Sequence, residues 1–256
     1  MRPAFCVAAL LFLVEVDKLQ CAEGLRPAVI GNGADSVAAK LHYPPKERDS
    51  KTEAVVVFFC EVAANGKAKN VRTYWNQGYN RFGDAVEKAL NQGRFIPAMA
   101  GGKPTPVLIG GTVFFVARGD RPTVVISMAT ADKQKAAGMQ NYIQPQMIGS
   151  DADLRRKLMN AARAEKILVN EARANAEVLA KVDANGNLLD TKVVAESSKN
   201  GGWGAILVKA MSGAKFIPAS NNGTPEPGEF TWAVRYNETY DPDHVGTGSH
   251  VRHESE

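Results

Sequence analysis

The chain has 256 residues, 45% of them hydrophobic and 23% charged, which is enough to bury a core and excludes a disordered polymer. A formal charge of +4, from 31 Lys and Arg against 27 Asp and Glu dispersed along the chain, excludes the clustered basic footprint of a nucleic-acid binder. Three cysteines, the first within an export-like leader, exclude an intramolecular disulfide framework.

Residues 1–22 read as a signal peptide. Arg2 precedes an apolar run, 4–14, with the length of a secretory h-region and well short of the roughly 20 residues a membrane span needs. Cys21 follows Lys18 and Gln20, where a lipid-attachment motif carries small or apolar residues, so lipidation there is not expected. The predicted location is exported, periplasmic or envelope-associated.

The stretch 53–63 alternates apolar residues and is rich in Val and Phe; Asn65-Gly66 then supplies a tight turn with positive φ, and 69–75 returns as a second strand. Phe82, Val86, Ala89 and Leu90 recur at helical spacing, so 81–92 is an amphipathic helix, stopped at Gly93. Phe95 is placed to plug the gap between helix and sheet, and Pro97 forbids helical continuation. A turn at Gly101-Gly102 and the pair Pro104 and Pro106 lead into a last strand, 107–117. Val55, Val57 and Phe59 make the outward face of the first strand apolar too, opposite Phe58, Cys60 and Val62. That face therefore needs a cover, expected from elsewhere in the chain, with a partner chain as the alternative.

Residues 118–175 read as a connecting segment: a β-prone run at 123–128, a polar, turn-rich stretch at 132–148, and one helix in 151–173. Leu154, Leu158, Ala161, Ala162 and Ile167 keep helical spacing there, and Asp151 is placed to cap it. The pattern of the first unit then returns, with strands at 176–183 and 188–195 around Asn185-Gly186, a helix at 204–212, Phe216 and Pro218, and a strand at 229–236. Residues 237–256 lose the apolar pattern and read as a disordered tail.

The two units match in order. Val62-Ala63-Ala64-Asn65-Gly66 is echoed by Val182-Asp183-Ala184-Asn185-Gly186, Lys88-Ala89-Leu90 by Lys209-Ala210-Met211, and Phe95-Ile96-Pro97-Ala98 by Phe216-Ile217-Pro218-Ala219. The predicted fold class is α+β: two tandem ββαβ domains, 43–117 and 176–236, each a small antiparallel sheet with one packed helix.

This order of strand, Asn-Gly turn, strand, helix, Arg94-Phe95-Ile96-Pro97-Ala98, Gly-x-Pro and apolar strand resembles the TonB C-terminal domain family. The Tyr-Pro that commonly precedes that domain is matched by Tyr43-Pro44 and, more weakly, by Tyr142-Ile143-Gln144-Pro145. The second unit has Lys215 at the Arg position. The resemblance implies a periplasmic domain that grasps a short peptide of an outer-membrane transporter and passes on force. The implied means is strand addition at an exposed last strand. In this chain the implied peptide-binding edges carry Val107, Ile109, Thr112, Phe114 and Val116 in the first unit and Phe230, Trp232 and Val234 in the second. Unlike a complete transducer, the chain shows no full-length apolar span and no long Pro-rich stretch. A structural or assembly adaptor of the envelope with no transport role is the alternative.

Catalysis finds no foothold: there is no nucleophile elbow and no phosphate-binding Gly loop, and of the four His only His42 lies outside the tail. His244, His250 and His253 lack a fixed ligand spacing, so no metal and no cofactor is expected. The expected partner is a protein or peptide, with no nucleic acid and no small-molecule substrate; self-association is left open.

Overall fold

Residues 24–74, 80–117, 122–129, 141–166, 174–197 and 202–236 are described in the computed structural model of the chain. The expected signal peptide, Cys21, the tail 237–256 and Ile167 lie outside them. The chain opens with β1 (Val29–Ile30) and two short helices, α1 (Val37–Lys40) and α2 (Pro45–Asp49). The hairpin β2 (Ala54–Val62) and β3 (Ala68–Tyr74) follows, then α3 (Asn80–Gln92). Three short strands, β4 (Phe95–Ile96), β5 (Met99–Ala100) and β6 (Lys103–Pro104), lead into β7 (Val107–Val116).

Next come β8 (Thr123–Ser127), β9 (Tyr142–Ile143), β10 (Gln146–Ile148) and α4 (Asp151–Ala164). The second hairpin is β11 (Ala174–Val182) and β12 (Leu188–Ser197), followed by α5 (Trp203–Met211). The chain then runs through β13 (Phe216–Ile217), β14 (Ala219–Asn221), β15 (Thr224–Glu226) and β16 (Gly228–Tyr236). The class is α+β, with small antiparallel sheets and few helices.

Alternation along β2 decides the first core. Val56, Phe58, Cys60 and Val62 point to α3, where Phe82, Val86, Ala89 and Leu90 meet them, with Phe95, Ile109, Val113 and Phe115 closing the cluster. Each such fully buried Phe or Leu contributes about 1.5–3 kcal/mol. Burial raises the Cys60 thiol far above its ordinary value, so the residue is a packing group rather than a nucleophile.

Both hairpins close in the same way, and the turn is longer than a two-residue Asn-Gly loop. Gly66 N donates to Ala63 O at 2.8 Å and Ala63 N to Lys67 O at 2.9 Å; Gly186 N donates to Asp183 O at 3.1 Å and Asp183 N to Asn187 O at 3.0 Å. Only the glycines take positive φ, +80° and +79°; neither Asn65 nor Asn185 does. Asn65 instead uses its side-chain oxygen to accept from Lys67 N. This is the pattern of a turn followed by a left-handed glycine.

The glycines also allow a close approach. A Cβ at Gly66 would lie 2.2 Å from Phe95 O, and one at Gly186 would lie 2.0 Å from Phe216 O. Phe95 N and Phe216 N in turn donate to Gly66 O and Gly186 O, each at 2.9 Å. The helix exit is thus pinned to the hairpin turn in both halves, with Phe95 and Phe216 buried and Pro97 and Pro218 beside the glycines.

The correspondence extends upstream, through residues that read as a linker. β1 pairs antiparallel with β4, Val29 opposite Ile96 and Ile30 opposite Phe95, and Arg26 bridges Met99. In the second half β10 pairs with β13, Gln146 opposite Ile217 and Met147 opposite Phe216, and Ile143 faces Ser220. Helix α1 packs on α3 as α4 packs on α5. The polar stretch 132–148 therefore contains two strands, and Tyr142 does not stand where Tyr43 does. Tyr43 follows α1, packs edge-on against Phe82 and Phe115, and donates to Thr52 O, whereas Tyr142 pairs with Asn221 before α4. Ser150, one residue earlier than expected, caps α4 by accepting from Asp153 N at 3.1 Å.

The apolar outward face of β2 is covered from within the chain. Val57, Phe59 and Leu108 join the second core, with Leu154 and Leu158 of α4, Ile206 and Leu207 of α5, and Phe230 and Trp232 of β16. Ile217 crosses the other way, into the first core.

Candidate functional site

The sheet edges are where the described structure offers unpaired backbone. In the first half β2 lies between β3 and β7, and in the second β11 lies between β12 and β16, so the last strand is lateral in each three-stranded core. The two last strands then differ.

β7 is closed on both sides. β2 pairs along it from Val107 to Phe115. On its other side β10 takes Val107 and Leu108, and β8 takes Thr112, Val113, Phe114, Phe115 and Val116. Between these strands Gln144 Nε2 donates to Gly110 O at 2.6 Å. Val107, Ile109 and Thr112 are buried, and Phe114 and Val116 half-buried. The expectation of an open edge at these five residues is corrected: the segment expected to be a linker supplies the missing strands.

Gln144 and Gln146 are 2% and 1% exposed, a degree of burial that requires their amides to be bonded. Gln146 donates to Ala28 O and accepts from Ala28 N, both at 2.8 Å, copying backbone pairing and tying the N-terminal segment to β10. No pattern in the sequence marks these two glutamines.

β16 is an edge among the described residues. It pairs with β11 without a register shift, from Ala174 opposite Tyr236 to Val182 opposite Gly228. Phe230 and Trp232 anchor it from one face, stacked at 5.9 Å and lying opposite the smaller Ala180 and Val178. Phe216 packs edge-on against Phe230 at 5.4 Å. On the other face Lys181 of β11 lies between Asp190 and Glu229 in the cross-strand register, a charged, solvent-facing arrangement unlike the covered face of β2. Val234 is half-buried against the second core. Burial and the carboxylates of Glu226 and Glu229 push the Tyr142 hydroxyl up, which places negative charge near the start of β16.

The remaining hairpin edges are interrupted. β3 meets β2 with a register shift between Phe59 and Glu61, and β12 meets β11 with two. Such irregularities blunt an edge against further pairing. Of the aromatic residues near these edges, Trp203 is buried in the second core and Tyr74 packs on Phe59. Among the described residues no group of three or more His, Cys, Asp or Glu is placed to hold a metal ion, and no helix is long and apolar enough to cross a membrane.

Fold and edge together define a small α+β scaffold in which, among the described residues, the last strand is a regular edge anchored in an aromatic core. Residues 39–116, from α1 to the end of β7, match the family described as Gram-negative bacterial TonB protein C-terminal. No curated protein and no solved structure matches the chain.

Proposed function

We propose that this chain is an exported, envelope-located binding protein rather than an enzyme, built from two tandem ββαβ units of the TonB C-terminal kind, 43–117 and 176–236. It holds an extended segment of a partner protein by strand addition at β16. The observation that carries this reading is the contrast between the two last strands: β7 is paired on both sides, whereas among the described residues β16 runs in unbroken register on one side only. Main-chain pairing along β16 supplies affinity, and alternate side chains supply selectivity. The match of residues 39–116 supports a periplasm-facing segment of an outer-membrane transporter as the partner class.

The tandem reading is supported by the matched glycine turns and by Phe95 and Phe216 at matched helix exits. The second reading, a structural or assembly adaptor with no transport role, is favoured by the closure of β7, which removes one of two edges from any peptide exchange.

The test is hydrogen exchange on the full chain, mixed with extended peptides that span the periplasm-facing N-terminal segments of outer-membrane transporters. Strand addition slows exchange in 228–236 and leaves 107–116 unchanged. Peptides that bind with slowing at 107–116 alone would overturn the assignment to β16. Absence of binding to every peptide would leave the adaptor as the better reading.

A further inference from the structure

The strand that closes most of β7 has a second side of its own, which the reading above does not use. β8 pairs with β7 over Thr123, Val124, Val125, Ile126 and Ser127 without a register shift, and among the described residues it stands at the margin of its sheet. The sequence of β8 contains no charge, no Pro and no Gly. The other long edges all carry charged residues: Lys69 and Arg72 on β3, Asp190, Lys192 and Glu196 on β12, and Glu229 and Arg235 on β16. Soluble proteins usually guard an edge with charge or a bulge, and β8 has neither. Val124 and Ile126 pack on the first core, while Val125 is 48% exposed on the opposite face.

We propose that β8 is a self-association edge, at which a second copy of this chain adds its own β8 antiparallel about a two-fold axis at Val125. A two-fold contact must be self-complementary, and this strand is. Thr123 falls opposite Ser127 of the second copy, Val124 opposite Ile126, and Val125 opposite Val125. Every position thereby meets a residue of matching size and polarity, and β-branched pairs of this kind stabilise neighbouring strands. A foreign peptide would find no charge on β8 to set its direction or register, whereas a second β8 brings both. The joined sheet runs continuously through β3, β2, β7 and β8 into the same strands of the second copy. Five paired residues per copy bury less than the roughly 1,000 Å² of a stable complex, so the dimer is weak, with a dissociation constant of about 10–100 µM.

Sedimentation velocity on the full chain from about 1 to about 500 µM tests this across the expected constant. The parent chain shifts from monomer to dimer over that range. Val125→Lys and Val125→Glu each remain monomeric, because like charges face each other across the axis, and an equal mixture of the two recovers the dimer. Hydrogen exchange on the parent alone locates the contact without any substitution: exchange in 123–127 slows as concentration rises. A parent that stays monomeric throughout overturns the proposal. So does a dimer that persists in both charged variants, a mixture that fails to recover it, or slowing confined to other segments.

Discussion

Phe59 of β2 and Trp232 of β16 meet edge-on, ring centroids 5.4 Å apart at 75°, although the two residues belong to different halves of the chain. Phe59 is 3% exposed and Trp232 1%, and both sit in the second core. Truncating Phe59 to Ala should cost about 3–5 kcal/mol. Because that residue is part of one half by sequence and of the other half's core by packing, the loss should be felt in a single cooperative transition. Urea unfolding followed in parallel by tryptophan fluorescence and far-UV circular dichroism checks this: the two signals should move together in the parent and in the variant. Two separated transitions in the parent would mean that the halves fold independently.

The same interface holds an ion pair with little solvent access. Arg72 Nη2 lies 2.5 Å from Asp151 Oδ1, and the two side chains are 14% and 3% exposed. Arg155 takes the other Asp151 oxygen at 2.6 Å, Asp151 N donates to Glu61 Oε2 at 3.0 Å, and the Arg72 guanidinium lies over the Trp232 ring at 5.5 Å. Removing one partner strands the other, so Asp151→Ala should destabilise by roughly 3 kcal/mol. Arg72→Lys should rescue little, since Lys lacks the planar fork that bonds and stacks at once. A double-mutant cycle on Arg72 and Asp151 should return a coupling of at least about 1 kcal/mol; additivity within error would show that the contact contributes nothing.

Gly66→Ala and Gly186→Ala should each cost at least about 2 kcal/mol, from the left-handed backbone together with the clash of the new Cβ. The two penalties should be similar, because φ is +80° and +79° and the obstructing atoms are Phe95 O and Phe216 O. Asn65→Ala should cost about 1 kcal/mol or less, the worth of its one bond to Lys67 N. Chemical denaturation of the three variants orders them; a tolerated alanine at either glycine would contradict the turn geometry.

The second turn should also respond to acid where the first does not. Burial pushes the Asp183 carboxyl up, but the side chain and backbone N–H of Asn187, the backbone N–H of Asn185 and the charge of Lys215 outweigh it. The carboxyl is therefore held below the usual carboxylate range. A depressed folded value means stability that is present above the unfolded value, about 3.9, and is lost as pH falls through the folded one. The parent should therefore outlast Asp183→Asn at neutral pH, and the gap between their melting temperatures should close below about pH 4. A gap that does not change with pH would assign the effect to shape rather than charge. The first half has Ala63 at the matching position and offers no such group.

The features legible in the sequence are local. Alternation at Val56, Phe58, Cys60 and Val62, helical spacing at Phe82, Val86 and Leu90, and the glycine of each turn are properties of short segments, and all fall where their periods place them. Even the apolar outward face of β2 was visible as a surface in need of a cover. The identity of the cover was not, because a periodicity says which face is buried and nothing about what buries it.

Which last strand keeps an open edge among the described residues depends on contacts made from elsewhere in the fold. β7 and β16 end equivalent runs of strand, turn, strand and helix, and nothing within either strand separates an interior strand from a marginal one. The difference lies in β8, the next strand along the chain, and in β10 and the amides of Gln144 and Gln146, which reach β7 and Ala28 from farther away in sequence. Strand pairing is made through backbone groups that every residue carries, so a two- or three-residue strand such as β10 leaves almost no side-chain signature. Its partner is selected by where the rest of the fold delivers it.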